Sequence, residues 1–375
     1  MIAAWFKRAR QTRTPVHSPS EARRYSARAL LGAYRTLSAV QIAAQLVLWV
    51  TFYAYDQTVQ TTWQAALMLL VPLAALWALW NAGAPAVQTR AGAFIGLALL
   101  PCLMVDAAFL LRVISGHIQQ LIPEYPLRAD EIVPAVLCLI TVVFSRRNGV
   151  AYGAVFLRWL LAALFLLSTV FVSANGVGAR LWPFWGQGVS KTALVALSGA
   201  GGLWGVGLFF VLPPSSMPGA PSRRPLPGDA PRSAFWALLP WLAGVLWALW
   251  YALVRPWQSG DLLTIGERLT GLARHSSSIV LFELSSLMWL IWLPLALAGC
   301  VTSGDKLLRA ALPHLPCPIA ALVVLLPGTI ASLLWPDQLL GALRWALPWR
   351  AALSLLAAVG MLIAAKRMGK GAHAA

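Results

Sequence analysis

The segment that decides the fold runs from Ala93 to Ile114 and reads AFIGLALLPCLMVDAAFLLRVI. Its 22 residues include only two charged side chains, those of Asp106 and Arg112. An α-helix rises about 1.5 Å per residue, so a helix of this length crosses the roughly 30 Å hydrocarbon core of a bilayer. We predict a membrane-spanning helix here, because lipid offers the backbone polar groups no other hydrogen-bond partner.

Further apolar segments of similar length fill most of the 375-residue chain, in which 59% of the residues are hydrophobic and 11% are charged. This composition excludes most classes of soluble enzyme and indicates an integral membrane protein. We predict an all-α polytopic membrane protein with ten transmembrane helices, at about Ala39–Tyr55, Trp63–Trp80, Ala93–Ile114, Ile132–Ser145, Ala151–Ser173, Thr192–Leu212, Ala234–Val254, Ile279–Val301, Pro316–Trp335 and Ala346–Ala365.

The net charge of +17 is distributed unevenly about these spans. Of the 29 Lys and Arg residues, 19 precede the first span, lie in even-numbered loops or follow the last span, and about 7 lie in the opposite loops. The positive-inside rule therefore places both termini in the cytoplasm, as an even number of spans requires. Juxtamembrane charge near anionic lipid explains this basic balance better than nucleic-acid binding.

The soluble parts of the chain are short. Residues 1–36 form a basic cytoplasmic arm, residues 37–366 the membrane domain, and residues 367–375 a cytoplasmic tail. Within the membrane domain, residues 213–233 begin PPSSMPGAPSRRPLPGDAPR, and their Pro, Gly and Ser content predicts a cytoplasmic linker. The stretch Gly260–Ser278 is predicted to be external and to contain a short amphipathic helix.

No motif in the chain points to enzyme chemistry. The four cysteines and five histidines show no spacing typical of metal ligands, and no phosphate-binding glycine loop is present. We predict no disulfide, no metal site, no cofactor and no enzymatic activity. A membrane enzyme is disfavoured only by this lack of a catalytic constellation.

Ten spans are the number that two inverted five-span repeats would give, as in transporters whose first and sixth helices break near the midplane. The sixth span contains the segment Ser198–Gly207, which reads SGAGGLWGVG and has five glycines. Such a segment either packs closely against another helix or unwinds to bind a ligand. From this segment we select Gly199, Gly201, Gly202 and Trp204 as candidate ligand-binding residues. Tyr53 marks a candidate break in the first span.

Charged and polar residues inside spans supply the other candidates, because a charge in a bilayer is expensive and persists where something repays it. Asp106 of the third span binds a ligand amine or a proton, or pairs with Arg158 of the fifth span. Arg112 is expected to extend toward the membrane surface. Glu283 of the eighth span is either functional or an interfacial structural residue. Ser285 either binds a ligand or bonds to its own helix backbone.

Two segments carry a resemblance to a known family. The first runs from Ile132 to Pro214 and includes the sequence LWPFWGQG at Leu181–Gly188, followed by the glycine-rich sixth span. The second is FELSSLMWLIW at Phe282–Trp292. The chain resembles the endospore germination permeases, the B-type membrane subunits of spore germinant receptors. Members of that family have a similar Leu-Pro-Phe-x-Gly-x-Gly signature and a Phe-Glu pattern in the eighth span.

The resemblance implies a five-plus-five inverted-repeat bundle of the amino acid–polyamine–cation transporter superfamily. It also implies a small nutrient ligand such as an amino acid, partner receptor subunits of A and C type, and a location in the spore inner membrane. The alternative function is a cation-coupled secondary amino acid transporter with the same fold. We expect the ligand pocket near the bilayer midplane, between the first, third, sixth and eighth spans.

Overall fold

The computed structural model of the chain describes residues 33, 36, 37, 90–122, 129–144, 149–174 and 279–371. The longer segments form seven α-helices, and the 3₁₀ turn Leu97–Leu99 joins the first two of them. The helices are α1 (Arg90–Gly96), α2 (Leu100–Leu121), α3 (Ala129–Phe144), α4 (Gly149–Ala174), α5 (Ile279–Ala311), α6 (Cys317–Leu334) and α7 (Pro336–Gly371).

Three helical segments of this described part are long and apolar enough to cross a membrane, namely Gly92–Gly116, Leu290–Ala311 and Cys317–Leu334. They fall within the predicted third, eighth and ninth spans or overlap them. A fourth would be the pair Asp130–Phe144 and Gly149–Leu160, bent by 114°, if the pair forms one broken span. We predicted two spans there. The count of ten remains a prediction, because residues 38–89 and 175–278 lie outside the described residues.

The last predicted span is longer as a helix and shorter as an apolar segment than the sequence suggested. Helix α7 extends over Pro336–Gly371, while its apolar part, Ala352–Ala364, is shorter than a full span. Most of the predicted cytoplasmic tail is therefore helical, up to Gly371. At the other end of the chain, Ala33 and Leu37 are helical and fully buried. These residues lie where the basic arm meets the first predicted span.

Prolines mark where the helices start and bend. Pro101 lies in the first turn of α2, where the backbone N–H that proline lacks would have no helical partner. Pro134, Pro294 and Pro327 lie inside α3, α5 and α6. Membrane helices accept such residues because neighbouring helices and side chains compensate for the lost hydrogen bonds.

Helix α2 is the centre of the described bundle and packs against α3, α5, α6 and α7. Residues on all its sides are buried, among them Leu103, Ala107 and Leu111. Helix α6 approaches it closely: a Cβ atom added at Gly328 would lie 2.7 Å from the Cα atom of Ala108. Small residues at such a crossing let two backbones approach, which is how helices associate in lipid.

Helix α7 runs antiparallel to the continuous stretch formed by α1 and α2. Near one end, a Cβ atom at Gly96 would lie 3.1 Å from the Cε atom of Met361. Near the other, Cys102 contacts Arg350 and Ser354. This packing brings α7 residues distant in the sequence against the third predicted span.

Two charged segments that we predicted to be loops are helical instead. Lys306 and Arg309 belong to α5, which continues to Ala311, and Asp130 and Glu131 form the first turn of α3. A helix can contain these residues because the bundle supplies opposite charges. The loop predictions were wrong because they counted charge along the chain without its partners.

Candidate functional site

The described bundle has a polar interior and an apolar exterior, the opposite of a water-soluble protein. Large apolar side chains are exposed on the outer faces, including Phe156, which is 84% exposed, and Phe144, which is 80% exposed. The buried polar side chains are Asp106, Ser115, Asp130, Glu131, Thr302, Ser303, Asp305, Ser332, Arg350 and Ser354. Lipid-facing apolar surface with charge kept inside is the arrangement expected in a bilayer.

The first buried cluster joins α2 to α7. The Nη1 atom of Arg350 donates a hydrogen bond to Oδ1 of Asp106, and both side chains are almost fully buried. Beside this ion pair, the Cys102 thiol donates to the backbone carbonyl of Arg350 at 3.7 Å and lies 3.8 Å from Oγ of Ser354. The cluster therefore contains one carboxylate and one guanidinium, whose charges cancel.

This geometry corrects one expectation about Asp106. Its partner is Arg350 rather than Arg158, whose exposed guanidinium lies 5.1 Å from the ring centroid of Trp159. The antiparallel packing of α7 on α2 brings a cation from 244 positions away. Arg350 was not among the predicted site residues. Its place inside the predicted tenth span was the available signal, because a charge there needs a partner.

The second buried cluster joins the end of α2 to the start of α3. The Oγ of Ser115 and the Nε2 of Gln119, the latter 2.6 Å away, both donate hydrogen bonds to Oδ2 of Asp130. The Nη1 of Arg112 donates to Oε1 of Glu131 at 3.2 Å. Arg112 was expected to extend toward the membrane surface, but it pairs with Glu131 because α3 presents that carboxylate beside it.

The third cluster lies near the end of α5. Arg309 pairs with the buried Asp305 one helical turn earlier. Thr302 and Ser303 donate to the backbone carbonyls of Ala298 and Gly299, at 2.7 Å and 2.9 Å. These hydroxyls satisfy themselves within their own helix, the behaviour that we left open for Ser285.

The remaining predicted site residues are less well placed. Glu283 and Ser285 belong to the first two turns of α5, and their side chains lie outside the described set. Tyr53, Gly199, Gly201, Gly202 and Trp204 also lie outside the described residues. The predicted pocket between the first, third, sixth and eighth spans therefore remains a prediction.

The described residues contain no group of three or more His, Cys, Asp or Glu that could hold a metal ion. All four cysteines belong to these residues, and they are free thiols. The chemistry present in this part of the bundle is therefore that of paired charges and hydroxyls.

A helical bundle with charges paired inside and apolar side chains outside belongs to the class of polytopic membrane proteins, and solved structures narrow its fold to that of membrane transporters. Mhp1, a nucleobase-cation-symport-1 family transporter solved with bromovinylhydantoin bound, is similar with a TM-score of 0.56 and 13% identity, over 85% of this chain and 74% of its own. The manganese transporter of Eremococcus coleocola is similar with a TM-score of 0.52 and 13% identity, over 92% of this chain and 79% of its own. No family model and no curated protein matches the sequence.

Proposed function

We propose that this chain is a secondary transporter that moves a small polar solute, such as an amino acid, across a membrane together with a cation. The observation that carries the proposal is the transporter fold, shared over 85% of this chain in one neighbour and 92% in another. Transporters of this architecture work by moving one group of helices against another around a central site.

The buried charges support this proposal because they lie between helices. One ion pair joins α2 to α7 and another joins α2 to α3. Burying a charge pair is costly, and a well-packed apolar contact is often as stable, so such pairs are weak devices for stability alone. Contacts that break and re-form as helices move are a use that repays this cost.

A direct role for Asp106 in ligand binding is weakened by its pairing. Its carboxylate is occupied by Arg350 and is shielded from solvent. A ligand amine would have to compete with a guanidinium that is already in contact. We therefore retain the predicted pocket with Tyr53 and Glu283 as candidate ligands and assign Asp106 to helix pairing.

The germinant-sensing hypothesis rests on the sequence resemblance of Leu181–Gly188 and Phe282–Trp292. In that alternative, a nutrient shifts the bundle between two arrangements and partner A- and C-type subunits transmit the change. The structural neighbours favour the transporter, because both are named as transporters. A sensor with this fold would bind the nutrient without sustained flux.

The deciding experiment is uptake by purified protein in proteoliposomes, using a panel of radiolabelled amino acids with an imposed sodium or proton gradient. We expect one solute to accumulate above its outside concentration, and to leak out when an ionophore collapses the gradient. Protein-free liposomes are the control. Saturable binding without accumulation would favour the sensor, and the absence of both would contradict the amino acid assignment.

We also propose that both termini and the Pro213–Arg232 linker are cytoplasmic and that Gly260–Ser278 is external. The distribution of Lys and Arg supports this topology. In a background without native cysteines, a cysteine at Ser276 should react with an impermeant maleimide from outside intact cells. One at Ser222 should react only after permeabilisation. The reverse pattern would overturn the topology.

A further inference from the structure

The cluster between α2 and α3 differs from the other two in its charge. It contains two carboxylates, of Asp130 and Glu131, and one guanidinium, of Arg112. In the cluster of α2 and α7, by contrast, one Asp faces one Arg, and at the end of α5 one Asp lies beside Lys306 and Arg309. With all groups ionised, only this cluster among the described ones has an excess of negative charge.

This negative excess is buried. Asp130 is 2% exposed and Glu131 is 5% exposed. Two neutral groups, Ser115 and Gln119, serve Asp130, while Oε2 of Glu131 is buried and has no hydrogen-bond partner among the described residues. A buried carboxylate oxygen without a donor is costly, so this oxygen marks the place where something is missing from the account.

Other sources of positive charge do not remove the excess. The start of α3 contributes the equivalent of roughly half an elementary charge, less than one full unit. Helix α6 carries no charged residue, and on α5 Asp305 already pairs with Arg309 beside Lys306. On α4, Tyr152 and Arg158 are exposed.

We propose that this cluster, Arg112, Ser115, Gln119, Asp130 and Glu131, is a proton-binding site in which one proton is held on the Asp130 and Glu131 carboxyls. A proton from water forms an O–H bond with one carboxylate oxygen, and the net charge of the cluster becomes zero. The free Oε2 atom of Glu131 is the oxygen best placed to receive it. That this proton is the coupling ion of transport rests on the proposed function.

The geometry favours a proton over a metal cation. The Arg112 guanidinium lies 3.2 Å from Oε1 of Glu131, where it would repel a sodium ion. Ser115 and Gln119 direct their hydrogens, not lone pairs, at Asp130. A proton needs one free oxygen and no coordination shell. Gln119 is exposed, so the cluster reaches the surface, where a proton can be exchanged with water.

The test is infrared difference spectroscopy of the full-length protein in proteoliposomes, with the proton itself as the probe. At neutral pH we expect the carbonyl stretch of a protonated carboxylic acid, and we expect its loss at alkaline pH. Glu131→Gln and Asp130→Asn each remove the excess charge, so each should abolish this band. Arg112→Gln enlarges the excess by one unit and should increase the band about twofold, because a second proton then restores neutrality.

Asp305→Asn is the matched control, because its cluster has no negative excess, and it should leave the band unchanged. Elution as a single species checks that each variant folds, and Asp130→Asn carries the test if Glu131→Gln does not fold. A band that survives both substitutions would overturn the proposal. So would a missing band in a protein whose melting temperature rises when sodium replaces choline, in wild type but not in Glu131→Gln.

This measurement needs no transported solute. Its failure is therefore separate from failure of the proposed function. A protein that shows the band but transports none of the solutes keeps the proton site and loses the transporter assignment. A protein that accumulates a solute without the band keeps the transporter assignment and loses the proton site.

Discussion

Breaking the Asp106–Arg350 pair should destabilise the protein strongly. The two side chains are 4% and 2% exposed, so Asp106→Asn leaves the Arg350 guanidinium buried beside a neutral amide. Removing one partner of a buried pair costs about 3–5 kcal/mol, because the other charge stays uncompensated. That is a large part of a total stability of roughly 5–15 kcal/mol. The sequence alone predicts that Asp106→Asn impairs the ligand response more than assembly, and the ion pair reverses that order.

The double variant Asp106→Leu/Arg350→Met separates charge from packing. It removes both charges at similar volume, so its loss of stability should be far smaller than the sum of the two single losses. Equilibrium unfolding in mixed micelles, followed by circular dichroism, gives the four free energies. Arg158→Gln is the control, because that guanidinium is exposed over Trp159. Single variants that cost less than about 1 kcal/mol, or a double variant equal to their sum, would refute the reasoning.

Two further predictions concern packing in α6 and α7. Gly328→Ala places a Cβ atom 2.7 Å from the Cα atom of Ala108, whereas nothing lies within 4 Å of a Cβ at Gly341, so the first should cost about 1–3 kcal/mol by forcing α6 from α2 and Gly341→Ala should cost nothing measurable. Equal unfolding free energies would contradict that crossing. Leu325 is 3% exposed and its neighbour Leu326 is 49% exposed, so Leu325→Ala should cost about 2–5 kcal/mol and Leu326→Ala much less. The same unfolding assay tests both, and the opposite ranking would mean that α6 is rotated.

The sequence was most informative where a property depends on a local sum. Hydropathy over some twenty residues located the segments that became α2, α5 and α6, because any helix exposed to lipid must be apolar over the thickness of the bilayer. It also gave the correct sign to Asp106, as a buried charge that needs a partner. The family resemblance led toward a germinant receptor, while the structural neighbours support a transporter of the same general fold.

Composition and order along the chain thus determined that this is a helical membrane protein and which residues would be costly to bury. Only the tertiary structure decided how those residues are paired. Arg350 meets Asp106 across 244 positions, and Glu131 meets Arg112 because α3 packs against α2. The physical reason is that hydropathy is a property of a segment, whereas the free energy of a buried charge depends on the distance to its partner, which helix packing sets.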